Sequence, residues 1–118
     1  MTHAFVEPHK DFEINQISVI QDVYTKVGEE NNVLVIPVGL AFDIAYKEHP
    51  DIKLHHNDGT HPNLKGTYLA ACTVFASIYG KSPIGLKYDY YGAINKNDKI
   101  LLQKIADKAT SVYFKNNN

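Results

Sequence analysis

Val33-Leu34-Val35-Ile36-Pro37-Val38 is the stretch on which the fold turns. It is apolar throughout and rich in β-branched residues. A strand that is apolar on both faces belongs in the middle of a covered parallel sheet. Pro37 falls near its end, where a lost ladder hydrogen bond matters least. An interior strand needs a neighbour on each side. Elsewhere only a short piece near Thr2 to Val6 offers one. The expected fold is therefore α/β with a parallel sheet whose N-terminal strands are missing. The chain is expected to be the C-terminal part of a larger α/β domain.

The flanking segments read as helices and loops. The first ten residues read as extended or loop-like, since Glu7-Pro8 disfavours helix there. From Asp11, the residues Ile17, Ile20, Tyr24 and Val27 fall on one helical face, with Gly28 placed to end the helix. After the strand, Gly39 to Lys47 predicts a short helix with Leu40, Ile44 and Ala41 facing inward. Glu48 to Asn63 is polar and holds four histidines and two prolines. A second apolar stripe follows in Leu64, Tyr68, Cys72, Phe75 and Tyr79, closed by Gly80. Asn97 or Asp98 is expected to cap a last helix, with Leu101, Leu102, Ile105, Ala109 and Val112 buried. The order is helix, strand, helix, loop, helix, helix. Residues 1–85 read as the body and 86–118 as a helical extension packing on it.

Composition narrows the function. A chain of 118 residues is one domain or less. Twelve basic residues against thirteen acidic ones leave a net charge of −1, with none of the basic excess expected of a nucleic-acid protein. The single cysteine, Cys72, excludes an internal disulfide. The longest apolar stretch, Val33 to Phe42, is too short for a membrane-spanning helix, which needs about twenty residues. Met1 to Pro8 has neither a basic nor an apolar leader region, so no signal peptide is expected there. The composition fixes no compartment. The only low-complexity run is Asn116 to Asn118.

The chemistry concentrates in His55-His56-Asn57-Asp58-Gly59-Thr60-His61-Pro62. Asp58 and His61 are three apart, just before a helix. At that spacing in a tight turn the two side chains meet. The carboxylate can accept from the imidazole Nδ1–H, which fixes the tautomer and frees Nε2 to take a proton from a hydroxyl. A structural cap or a surface pair would show the same spacing. Three imidazoles and a carboxylate would also suit zinc, although adjacent His55 and His56 cannot easily turn to one ion. His55 and His56 otherwise read as a solvated loop shaping a cleft. His3 and His9 read as surface residues, with His3 placed to lie near a cleft mouth.

The run Asp58-Gly59-Thr60-His61-Pro62-Asn63-Leu64-Lys65-Gly66-Thr67-Tyr68-Leu69-Ala70-Ala71 resembles the last motif block of the SGNH hydrolases, also called the GDSL esterase/lipase family. Upstream, Val35-Ile36-Pro37-Val38-Gly39 resembles that family's last core strand and turn. The resemblance covers about residues 33–85. It implies a flavodoxin-like α/β/α sandwich and a serine ester hydrolase. Asp58 and His61 match the triad aspartate and histidine, a catalytic dyad needing no cofactor. The implied substrate is a small-molecule or carbohydrate ester. The chain departs from the family in lacking any Gly-Asp-Ser or Gly-x-Asn-Asp segment. The nucleophile and the oxyanion donors are therefore absent, and the chain alone is expected to be inactive.

The serines Ser18, Ser77, Ser82 and Ser111 occupy helices or a pre-proline loop, none on a strand-to-helix elbow. Cys72 reads as core. Tyr88, Tyr90 and Tyr91 are expected to pack against the last helix. Two other readings stand beside the enzyme fragment. One is a metal-binding histidine loop. The other is a non-catalytic remnant, or half of a split protein that completes its sheet with a partner chain.

Overall fold

Four helices and no strand account for the regular structure of residues 1–117, which the computed structural model describes. Asn118, last of the terminal asparagine run, lies outside the described residues. The helices are α1 (Gln16–Asn31), α2 (Val38–Glu48), α3 (Leu64–Tyr79) and α4 (Lys96–Asn116).

The α/β expectation, and with it the sandwich implied by the SGNH resemblance, is overturned for this chain. Residues 33–37 form no regular secondary structure and join no sheet, and the backbone turns at Pro37 (φ −83°, ψ 50°). The N-terminal piece expected to pair with them touches only their end. The Met1 ammonium donates to Ile36 O at 2.9 Å, and Gly39 N–H donates to Met1 O at 3.2 Å. A strand exists only as a member of a ladder, so a β pattern without a partner stays an isolated segment. Among the described residues the one β-like contact is an isolated antiparallel bridge between His55 and Pro62.

The core lies among α2, α3 and α4. Ala41, Phe42 and Ala45 from α2 meet Tyr68, Leu69 and Cys72 from α3 and Leu102, Ile105, Ala106 and Ala109 from α4. Phe42, Leu54, Leu69 and Leu102 are fully buried, each worth about 1.5–3 kcal/mol. The stripe read for α3 shifts by about one residue. Tyr68 and Cys72 are buried as expected, joined by Leu69, Thr73 and Ala76, whereas Leu64 and Tyr79 face solvent. In α2 the inward residues are Ala41, Phe42 and Ala45, with Leu40 and Ile44 half-buried. In α4 the expected Val112 is exposed and Tyr113 takes its place.

The caps set the boundaries. Asn63 Oδ1 accepts from Gly66 N–H at 3.0 Å to start α3, and Gly80 ends it at φ 61°. Asn95, not Asn97 or Asp98, caps α4, its Oδ1 accepting from Asp98 N–H at 2.9 Å. In α1, Asn15 and Asn32 adopt left-handed conformations at the two ends. Gly28 is not a terminator. It lies buried inside α1, where an added Cβ would stand 2.4 Å from a Val35 methyl. Among the helices α1 packs on α2, and it reaches α4 through a Thr25 Oγ1–Tyr113 Oη hydrogen bond of 2.8 Å.

Tyr88 and Tyr91 are exposed and Tyr90 packs at the edge of the core. The loop that carries them is tied down by Gln103 of α4, which is buried. Its Nε2 donates to Tyr68 Oη at 3.0 Å and to Leu86 O at 2.8 Å, and its Oε1 accepts from Gly85 N–H at 3.0 Å.

Candidate functional site

The loop before α3 is shaped by its own backbone. His56 N–H donates to His61 O at 2.8 Å, and Asn63 N–H donates to Leu54 O at 2.8 Å, so the two ends of the loop are clamped together. Gly59 sits at its apex with φ 75°, a conformation that glycine adopts without strain. Val6 N–H donates to Gly59 O at 2.9 Å, and an added Cβ at Gly59 would stand 2.2 Å from Val6 O. The N-terminal segment therefore lies directly on the loop.

Inside this frame Asp58 and His61 come together. Asp58 Oδ1 accepts from Thr60 N–H and His61 N–H, each at 3.0 Å. Asp58 Oδ2 is hydrogen-bonded to His61 Nδ1. The His61 amide, then the Thr60 amide and the imidazole, hold the Asp58 carboxyl well below the usual carboxylate range. The carboxylate is ionised at neutral pH and immobilised by the turn. It fixes the imidazole as the Nδ1–H tautomer, with Nε2 as the basic nitrogen. The His61 side chain is 76% exposed, so that nitrogen faces solvent.

The other loop histidines part company. His56 is exposed, but His55 is buried. His55 Nδ1 lies 2.5 Å from Tyr46 Oη and its Nε2 lies 3.0 Å from His3 Nδ1. Tyr46 Oη also accepts from Leu54 N–H at 3.2 Å. His3 Nδ1 also lies 3.2 Å from Ala4 O, so a neutral relay runs either from Tyr46 O–H through His55 to His3 Nδ1, or from His3 Nδ1–H through His55 to the Tyr46 oxygen. Burial, reinforced by His3, pushes the His55 pKa down to about 4, so the ring is neutral at pH 7. His3 is no free surface residue, since its ring stacks on Phe42 at 5.0 Å. Sequence reading missed this trio because its members meet only through the tertiary fold. Its one local signal was an aromatic residue, Tyr46, near the inward face of α2.

Among the described residues no group of three or more His, Cys, Asp or Glu side chains converges to hold a metal ion. His55 faces His3 and Tyr46, while His61 faces Asp58. The serines bond locally: Ser18 Oγ to Asn15 O at 2.9 Å, Ser77 Oγ to Thr73 O at 2.8 Å, and Ser82 Oγ from Ile84 N–H at 3.3 Å. None of these bonds reaches His61. Burial pushes the Cys72 thiol up to about 11, which makes it an inert core group. A cleft of about 800 Å³ runs beside the loop, lined by Glu7, Pro8, Tyr46, Lys53, His55 and His56 among others. Asp58 and His61 are not in its walls.

No family model and no curated protein matches the chain. A solved structure does. The crystal structure of a DUF4886 family protein from Bacteroides uniformis ATCC 8492, at 1.50 Å resolution, superposes with a TM-score of 0.81. The match covers 93% of this chain at 23% identity. It covers 46% of that chain, so the present chain spans less than half the length of the protein it resembles. The likeness establishes the shared fold of this portion. Among the described residues, no helix is long and apolar enough to cross a membrane.

Proposed function

We propose that Asp58 and His61 are the proton-transfer pair of a serine-type ester hydrolase, and that this chain supplies that pair to a site completed by other polypeptide. The observation that carries the reading is the fixed carboxylate. Asp58 is held by two backbone amides and bonds the imidazole through its second oxygen, leaving Nε2 of His61 open to solvent. A surface cap would need only one of those contacts. The resemblance of residues 58–71 to the Asp-x-x-His block of the SGNH hydrolases supplies the reaction class. The sandwich architecture of that family forms no part of the proposal.

In this scheme Nε2 of His61 accepts the proton of a nucleophilic hydroxyl and returns it to the leaving alcohol. Asp58 keeps the ring oriented and stabilises its charged form. The hydroxyl and the oxyanion donors come from outside the chain, which has no Gly-Asp-Ser or Gly-x-Asn-Asp segment and in which Ser18, Ser77 and Ser82 bond to other groups. The substrate class is a small-molecule or carbohydrate ester.

The test begins with about 600 bases of coding DNA adjoining the Met1 codon, the length of one further domain. An in-frame Gly-Asp-Ser followed by Gly-x-Asn-Asp is expected. The complete frame is then expressed and assayed on p-nitrophenyl acetate. His61→Ala should lower turnover by about ten-thousandfold with the thermal unfolding curve unchanged. Absence of such a frame, or full turnover in His61→Ala, would overturn the proposal.

A further inference from the structure

The segment Val33 to Ile36 has the chemistry of a strand and none of its bonds. Among the described residues, the N–H groups of Leu34, Val35 and Ile36 and the C=O groups of Val33, Leu34 and Val35 have no hydrogen-bond partner in the protein. The Val33 N–H turns back to Gly28 O at 3.0 Å, and Ile36 O is taken by the Met1 ammonium at 2.9 Å. Between those two anchors the backbone groups are unpaired, with the Val33 carbonyl and the Val35 side chain lying against Gly28 of α1.

The side chains tell the same story. Val33 and Leu34 are 58% and 57% exposed although both are strongly apolar. The segment floors a groove of about 400 Å³ between the C-terminal ends of α1 and α4, lined by Gly28, Glu29, Tyr113 and Phe114 among others. Along α1 the valines Val19, Val23 and Val27, spaced four apart, are also exposed. Scattered apolar residues on a surface need no explanation, but an apolar segment with a run of unpaired backbone groups is a template for strand addition.

The size of the occupant comes from the DUF4886-family structure. Nearly all of this chain superposes on less than half of that one. A body with this fold is thus seen joined to a further portion somewhat larger than itself. We infer that Val33 to Ile36 is received as a β-strand by an extended segment of a complementary polypeptide portion of about this chain's size. Backbone pairing would give the affinity, and Val33 and Leu34 would be covered in the joint. This inference stands apart from the dyad, since among the described residues no hydrogen bond joins the segment to Asp58 or His61.

The probe is the part of the Bacteroides uniformis DUF4886 family protein that lies outside the match, produced as a separate polypeptide. Amide hydrogen exchange is measured on the 118-residue chain alone and with that probe added. In the chain alone, the Leu34, Val35 and Ile36 amides should exchange at the rate of open peptide. With the probe, alternate amides of the segment should slow by about tenfold or more as pairing adds stability. Leu34→Pro, which removes one donor from an exposed position, should abolish that slowing. Leu34→Lys, which places a charge on the open edge, should weaken it while the α3 and α4 amides stay protected. No binding, binding without protection of the segment, or protection indifferent to both variants would overturn the inference. Protection in the chain alone, with sedimentation as a dimer, would overturn the assignment in favour of a second copy.

Discussion

Acid should destabilise this fold through one buried ring. His55 is 8% exposed, and burial lowers its pKa from 6.5 to about 4. Between those values the unfolded chain binds a proton at this position that the folded chain refuses. The stabilising contribution is therefore complete above pH 6.5 and is lost as the pH falls through that window to 4. At 1.36 kcal/mol per unit, the depression is worth about 3 kcal/mol. That is a large share of the about 5–15 kcal/mol by which domains are stable. Protonating His55 would make both ring nitrogens donors, so that Nδ1 would donate to the Tyr46 oxygen and Nε2 to His3 Nδ1. The assay is urea unfolding from about pH 7.5 down to about pH 4, on the natural chain and on His55→Gln. The variant should be less stable by about 1–2 kcal/mol at neutral pH. Its disadvantage should shrink, and then reverse, as the pH approaches 4. Parallel stability curves for the two proteins would refute the assignment of a neutral, buried His55.

Three further substitutions probe the frame around the loop and the core, each read by denaturant midpoint. Gly66→Ala places a Cβ 2.2 Å from Leu54 O, a backbone atom that cannot step aside. It should cost about 2 kcal/mol, where alanine in an open helix would stabilise. Gln103→Leu leaves Gly85 N–H and Leu86 O without their side-chain partner, and should cost about 2–3 kcal/mol. Asn95→Ala removes the acceptor for Asp98 N–H at the start of α4, and should cost about 1 kcal/mol.

The helices around the core were legible because their signals are local. Gly80 as a terminator and the burial of Tyr68 and Cys72 follow from spacing along one helix. The same holds for Asp58 and His61, whose meeting depends on a turn that residues 58–61 build themselves. What escaped the reading depends on distant partners. His3, Tyr46 and His55 lie 52 and 9 residues apart, and no pattern in the loop foretells that His55 turns inward while His56 turns out. Gln103 looks like a surface residue of α4 until the loop at Gly85 folds over it. Val33 to Val38 shows the opposite failure. Its local preference is for a strand, yet a sheet requires neighbours, and the described residues supply none.

An exposed imidazole held by a carboxylate is only a modest base while water surrounds it. Charges in an active site gain strength when water is excluded and donors are fixed around the developing oxyanion. His61, at 76% side-chain exposure, has neither advantage in this chain, although Asp58 already meets the orientational requirement. In the proposed role the turn would be organised in advance, and the completing polypeptide would supply the walls. Val33 to Ile36 is in a comparable condition, apolar and partly exposed with backbone groups unpaired. Substitution separates the two. Leu34→Pro should weaken association and leave the Asp58–His61 hydrogen bond intact, as read by the downfield Nδ1–H proton resonance. His61→Ala should remove that resonance and leave association unchanged. If Leu34→Pro instead erased the resonance in the chain alone, the loop and the segment would be structurally coupled, and their independence would be refuted.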